Sequence, residues 1–245
     1  MNKYQPPLPY IATIKPVREV SLTGWADLLF WHERLAAEGL LPVDFSGRAQ
    51  VLISSIEARF MGLKFRELIV VVTVEPDGWP ALKHGAYLVH AFHSSRLLGW
   101  CERNMFATPY YFGQIENSVG PPAHIELREE SQVSLRVAMD SSASINSRSP
   151  ERAGAESWAG PIFLPSRPGA SVDQRSVFFA DIHGETQTYP FEPEHDTFLV
   201  ERSSKWPVFE WLKESQFSGC EWSLRPTATH SRTKTVRRKA SELSA

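Results

Sequence analysis

The chain has 245 residues, 42% of them hydrophobic, and a formal net charge of −2 at pH 7. That length can bury a sizeable core in one large domain, and the near-neutral charge gives no reason to expect nucleic acid as the main partner. The longest apolar run, "LIVVVTV", is far short of the roughly 20 residues of a membrane-spanning helix, so no membrane partner is expected either.

Eighteen prolines and fourteen glycines imply many turns and a strand-rich fold. Residues 1 to 23, proline-rich and then mixed, read as an extended arm lying on the domain. In "GWADLLFWHERLAAEGLLP", Leu28, Leu29, Trp31, Leu35 and Ala36 repeat at helical spacing, and Gly39 and Pro42 stop the helix. "GRAQVLISSIEARF" (47–60) alternates as a strand does, "ELIVVVTV" (67–74) is a buried β-branched strand, and "GAYLVHAFH" (85–93) is another. Ser94 or Ser95 caps a short helix, "SRLLGWCERNMF", which Pro109 ends; "YYFGQIE" returns as a strand. "AHIELREE" and "QVSLRVAMD" alternate as a hairpin. Residues 140–157, nearly devoid of apolar side chains, read as a mobile loop. "RSVFFADIHGETQTYPF" reads as a second hairpin turning at Gly184, "WPVFEWLKES" (206–215) as an amphipathic helix and "GCEWSLRP" as a closing strand. The last stretch, "THSRTKTVRRKASELSA", is polar and basic: a frayed tail, or a segment touching phosphate or another anion. The expected organisation is one α+β, mainly antiparallel domain over residues 1–226 and a flexible tail over 227–245.

The sequence contains no glycine-rich phosphate loop and no Gly-x-Ser-x-Gly elbow. The N-terminus, "MNKYQPPLPYI", lacks the apolar core of a secretory signal, so Cys101 and Cys220 are expected as reduced thiols in a cytoplasmic protein. Glu67 precedes an apolar strand, where burial would raise its pKa toward that of a general acid or base; the alternative is a solvent-facing carboxylate paired with Arg66. Arg103, near a helix end, suits a substrate carboxylate through its planar fork, or serves only the helix C-terminus or a pair with Glu102. His90 and His93 have His-x-x-His spacing, but residues three apart on a strand face opposite sides, so no metal and no cofactor are expected.

"YLVHAFHSSRLLGWCERNMFATPYY" resembles a segment of the acetoacetate decarboxylases, in which a strand runs into a helix bearing Gly-Arg-Glu and then Tyr-Pro-Lys-Lys. The Arg103-to-Pro109 distance fits that pattern, Glu67 in "GLKFRELIVVVTV" matches the family's active-site glutamate, and "ESWAGPIFLP" resembles its Glu-Ala-Trp-x-Gly-Pro stretch. Trp25, "LLFWHE", "LLPVDFSGRAQV", "TPYYF" and "DTFLVERS" are similar in order to motifs of an uncharacterised branch, the YqjF-like proteins. The likeness spans roughly residues 20 to 205 and implies a cone-like closed antiparallel sheet, outer helices and an apolar cavity. In the decarboxylases the two residues after that proline are lysines, the first forming a Schiff base with a β-keto acid. Here they are Tyr110 and Tyr111, and a phenol cannot form an imine. The resemblance implies a small-molecule ligand, an organic acid or carbonyl compound, with a homo-oligomer as its precedent. Glu67, Tyr110 and Arg103 are the expected catalytic residues, and Tyr111, His90 and Trp158 the expected substrate-binding ones. Two alternatives stand beside this: a β-keto-acid lyase or aldolase recruiting Lys64 or Lys83, and a non-catalytic oligomeric scaffold with a filled interior.

Overall fold

Alternation of inward and outward side chains along seven long strands sets the architecture. A computed structural model describes residues 8–75, 84–106, 108–140, 148–166, 174–201 and 205–239. The ring strands are β1 (Tyr10–Asp27), β2 (Arg48–Phe60), β3 (Leu63–Val74), β4 (Gly85–His93), β9 (Arg152–Leu164), β10 (Gln174–Pro190) and β12 (Ser218–Thr233). They run in the order β12-β1-β2-β3-β4-β9-β10, and β10 pairs with β12 to close the ring. Every neighbouring pair is antiparallel except β4–β9. Closure removes the free sheet edges that would otherwise invite association.

A second sheet holds β6 (Gln114–Ser118), β7 (His124–Glu129), β8 (Gln132–Ala138) and β11 (Thr197–Val200), all antiparallel. The short β5 (Tyr110–Phe112) runs parallel to β4, and β13 (Val236–Lys239) adds to β10. Helix α1 (Leu28–Ala36) is capped by Asp27, whose carboxylate accepts from the Phe30 amide. Helix α2 (Arg96–Met105) is capped by Ser95 in the same way, at the Leu98 amide. Helix α3 (Pro207–Glu214) starts at a proline. No described helix is long and apolar enough to cross a membrane.

The two faces of the ring differ. Outward residues Val20, Leu22, Val51, Ile53, Leu68 and Val70 join Trp31 and Leu35 of α1, Phe209 and Leu212 of α3, and Ile125, Leu127 and Val137 of the second sheet in the main core. The inward face is closed by smaller clusters, including Ala91, Phe178 and Ala180, and is not filled.

Four expectations about elements are corrected. The N-terminal segment is not an arm from Tyr10 on: it is β1, held between β12 and β2. Residues 152–157 of the expected mobile loop belong to β9, while 141–147 lie outside the described residues. There is no hairpin at Gly184: β10 runs straight through it, and a Cβ there would stand 2.7 Å from the Thr227 carbonyl oxygen, so the glycine permits close strand approach instead of a turn. The expected tail is ordered as the end of β12 and as β13 over residues 227–233 and 236–239.

Candidate functional site

A cavity of about 230 Å³ occupies the interior of the ring, lined by residues of all seven ring strands, α2 and β5. Phe60, on its wall and 40% exposed, marks its opening near the β2–β3 turn. Most of the wall is apolar, and its polar groups fall into two clusters.

The first cluster forms where β3, β4 and β5 meet. Glu67 stands opposite His93 across β3–β4, and β5 places Tyr110 beside Ala91 on the same face. The Tyr110 hydroxyl donates to Glu67 Oε2 at 2.7 Å, and His93 Nε2 lies 3.6 Å from Oε1. The Ser95 amide donates to His93 Nδ1, so that nitrogen carries no proton and the neutral ring presents its Nε2–H to Glu67. His93 stacks on Phe65 at 5.0 Å, and burial holds its pKa down at about 4. Burial, and then the charge of Glu102, pushes Glu67 up to about 7; the Tyr110 hydrogen bond and Arg232 pull the other way. Burial and the Glu67 charge raise Tyr110 well above the usual phenol range, so it stays a proton donor. Glu102, on α2, pairs with Arg232 of β12 at 2.7 Å, and the guanidinium lies over Phe178 at 4.2 Å.

The second cluster surrounds Glu19 of β1, which is 3% exposed. Its carboxylate accepts from Arg225 Nη1 at 2.9 Å and from Ser21 at 3.1 Å, and its Oε2 lies 3.0 Å from His230 Nε2. Although burial opposes ionisation, His230 and Arg225 hold this carboxyl down at about 2.

Of the residues expected from sequence, Glu67 and Tyr110 line the cavity together, and Glu67 is not paired with Arg66, which bonds Glu57 at 2.8 Å and Asn117 at 3.2 Å. The others are placed elsewhere. Arg103 is exposed, because the helical turn that directs Leu98, Cys101 and Glu102 inward turns it away. His90 and Tyr111 stack on each other at 4.7 Å on the outer face, both against Trp206. A bulge causes this: Val70 pairs with His90 and Val71 with Leu88, leaving Val89 extra, so Val89 and His90 share one face while Ala91 and His93 turn inward. Trp158 packs beside the inner cluster but not on the cavity wall. Lys64 pairs with Glu57 at 3.0 Å with its side chain 51% exposed, Lys83 lies outside the described residues, and no lysine is among the described lining residues. Sequence reading missed Glu19, His93 as a Glu67 neighbour, Glu102, His230 and Arg232. The available signal was the short polar–apolar alternation Glu19, Val20, Ser21, Leu22 within a mixed stretch.

No family model matches the sequence, and no curated protein sequence matches it. Solved structures do. An acetoacetate decarboxylase superposes with a TM-score of 0.61 at 13% identity, over 96% of this chain and 91% of that one. The chain has the acetoacetate decarboxylase-like fold. The acetoacetate decarboxylase of Legionella pneumophila superposes at 0.58 and 13% identity, over 96% and 91%. The enduracididine biosynthesis enzyme MppR, complexed with the condensation product of pyruvate and imidazole 4-carboxaldehyde, does so at 0.59 and 12%, over 97% and 90%. At such identities the likeness is one of fold, and residues must be judged on their own geometry.

Proposed function

We propose that the protein binds a small carbonyl compound in the ring interior and moves a proton at the carbon next to the carbonyl, without a Schiff base. The observation that carries this reading is the 2.7 Å Tyr110–Glu67 hydrogen bond on an apolar cavity wall with no lysine among its described residues. A carboxyl with a pKa of about 7 is divided between its acid and base forms at neutral pH, where general catalysis is most efficient. In the base form, Glu67 takes the α-proton; the C–H electron pair moves into the carbonyl and leaves an enolate oxygen. As the carboxylate gains that proton its hold on the Tyr110 O–H weakens, which frees the phenol to donate to the enolate. The reverse step returns a proton to carbon. The fold neighbours support the substrate class, since one is a decarboxylase of acetoacetate by name and another was captured with a pyruvate condensation product.

The test is α-proton exchange of cyclohexanone, 2-heptanone and acetylacetone in D2O, followed by proton NMR. Exchange of at least one ketone is expected to be accelerated, and to fall about 100-fold or more in Glu67→Gln, the usual scale of a lost general base. Tyr110→Phe should lose less. Borohydride reduction with acetoacetate or pyruvate should leave the intact mass unchanged. The reading is overturned if no ketone exchanges faster with the wild type than with Glu67→Gln, or if a lysine adduct is trapped.

A further inference from the structure

Glu19 and His230 face the same cavity as Glu67, yet proton transfer at Glu67 gives them no task. Their placement follows from register. Glu19 opposes Ile56 across β1–β2, and Ile56 opposes Glu67 across β2–β3, all three on the inner face. Two strand spacings, about 10 Å, therefore separate the backbones of the two carboxylates, with an apolar side chain between.

The state of the second cluster can be deduced atom by atom. Arg225, Ser21 and His230 surround a Glu19 carboxyl held ionised at about 2. An ionised carboxylate only accepts hydrogen bonds, so the His230 Nε2 that lies 3.0 Å away carries the hydrogen. In the neutral ring the lone pair is then on Nδ1, which has no hydrogen-bond partner among the described residues. This is the arrangement by which a buried carboxylate fixes the tautomer of a working imidazole. Charge narrows the ligand further. Arg232, the only arginine among the described lining residues, is taken by Glu102. An incoming carboxylate would find no free cation there and would meet Glu67, so the wall favours an uncharged molecule.

We infer that the Glu19–His230 pair is a second ligand-contacting site of the cavity, at which His230 Nδ1 accepts a hydrogen bond from a hydroxyl group of an uncharged ligand whose apolar body fills the ring. The inference rests on the proposed function only in placing the ligand in this cavity. His230 touches the ligand; Glu19 is a positioning residue.

Phenol and toluene serve as probes, since an apolar cavity of about 150 Å³ already accepts one aromatic ring. Dissociation constants are measured by NMR titration at pH 8. Phenol should bind about tenfold more tightly than toluene, the worth of one good hydrogen bond. In His230→Leu the ratio should fall below about twofold, while in Glu67→Gln it should remain about tenfold. Should His230→Leu fail to fold, long-range proton–nitrogen NMR of the wild type gives the same answer. Nε2 should be the protonated nitrogen, phenol should shift Nδ1, and toluene should not. Glu19→Gln should mix the two ring tautomers, a change that loss of packing alone would not produce. The inference is overturned by a wild-type ratio near one, by a ratio lost in Glu67→Gln but kept in His230→Leu, or by an Nδ1–H tautomer. Failure at Glu67 with success at His230 would sink the proton-transfer reading and leave the second site standing.

Discussion

Glu67 and Glu19 line one cavity and titrate in opposite directions, which gives each a distinct signature in stability. Glu67 has a native pKa of about 7 against 4.5 for an ordinary glutamate, so between those values the native state holds the extra proton. Stability therefore falls as pH rises through that window, by about 3 kcal/mol in all. Glu19 has a native pKa of about 2, so its contribution is present above 4.5 and is lost as pH falls toward 2. Glu67→Gln should accordingly be more stable than the wild type at pH 8 and lose that advantage at pH 5. Glu19→Gln should be less stable at pH 7 and converge with the wild type only near pH 2. Urea unfolding at each pH reads both, and equal offsets at all pH values would disprove the assignment. Only one of these carboxylates was legible beforehand. Glu67 and Tyr110 stand at places marked by a family likeness and by the boundary of an apolar strand. Glu19 was hidden because its strand reads as mixed: outward residues pack in the core while inward ones face polar partners, and His230 and Arg232 are hidden in β12 for the same reason.

At the scale of elements, β12 carries the most consequence. It closes the ring between β1 and β10 and brings Arg225, His230 and Arg232 to the interior. From sequence its second half looked like a polar tail, because a strand facing a polar interior and a partly wet exterior lacks the apolar period by which strands are recognised. Helices α1, α2 and α3 were legible, since their apolar spacing, caps and proline are local. The closed ring was not, because β1 and β12 are paired over some 200 residues of chain separation, and only the family likeness suggested it. Ending the chain after Pro226 should therefore do far more than trim a tail. It would leave the first halves of β1 and β10 with unpaired edges, remove His230 and Arg232, and strand Glu19 with one fewer partner. The truncated chain is expected to aggregate or to lose cooperative thermal unfolding by circular dichroism. A soluble product that melts within about 2 °C of the full chain would refute the structural role given to β12.

For the molecule as a whole, the contrast between a packed outer face and an open interior is itself a functional statement. Protein interiors normally pack to crystal density, and an apolar void costs stability in proportion to its size. Here Trp31, Phe209 and Ile125 fill the outer layer completely, while small residues such as Ala12 and Ala180 face the open space within. A filled interior was the expectation of a pure scaffold, and the cavity argues against it. Ala180 lies on β10 among inward residues, so a larger apolar side chain there extends into the void without disturbing the ring. Ala180→Leu adds three carbons to a space now empty of protein and should stabilise by about 2 kcal/mol if all three are buried, which raises Tm by several degrees in a chain of this size. The same substitution should weaken binding of cyclohexanone and phenol alike, because it narrows the cavity that both Glu67 and His230 line. Calorimetric melting together with the NMR titrations decides the matter. A higher Tm with unchanged binding would place the ligand outside the ring, and a lower Tm would mean that the interior is already as full as its backbone allows.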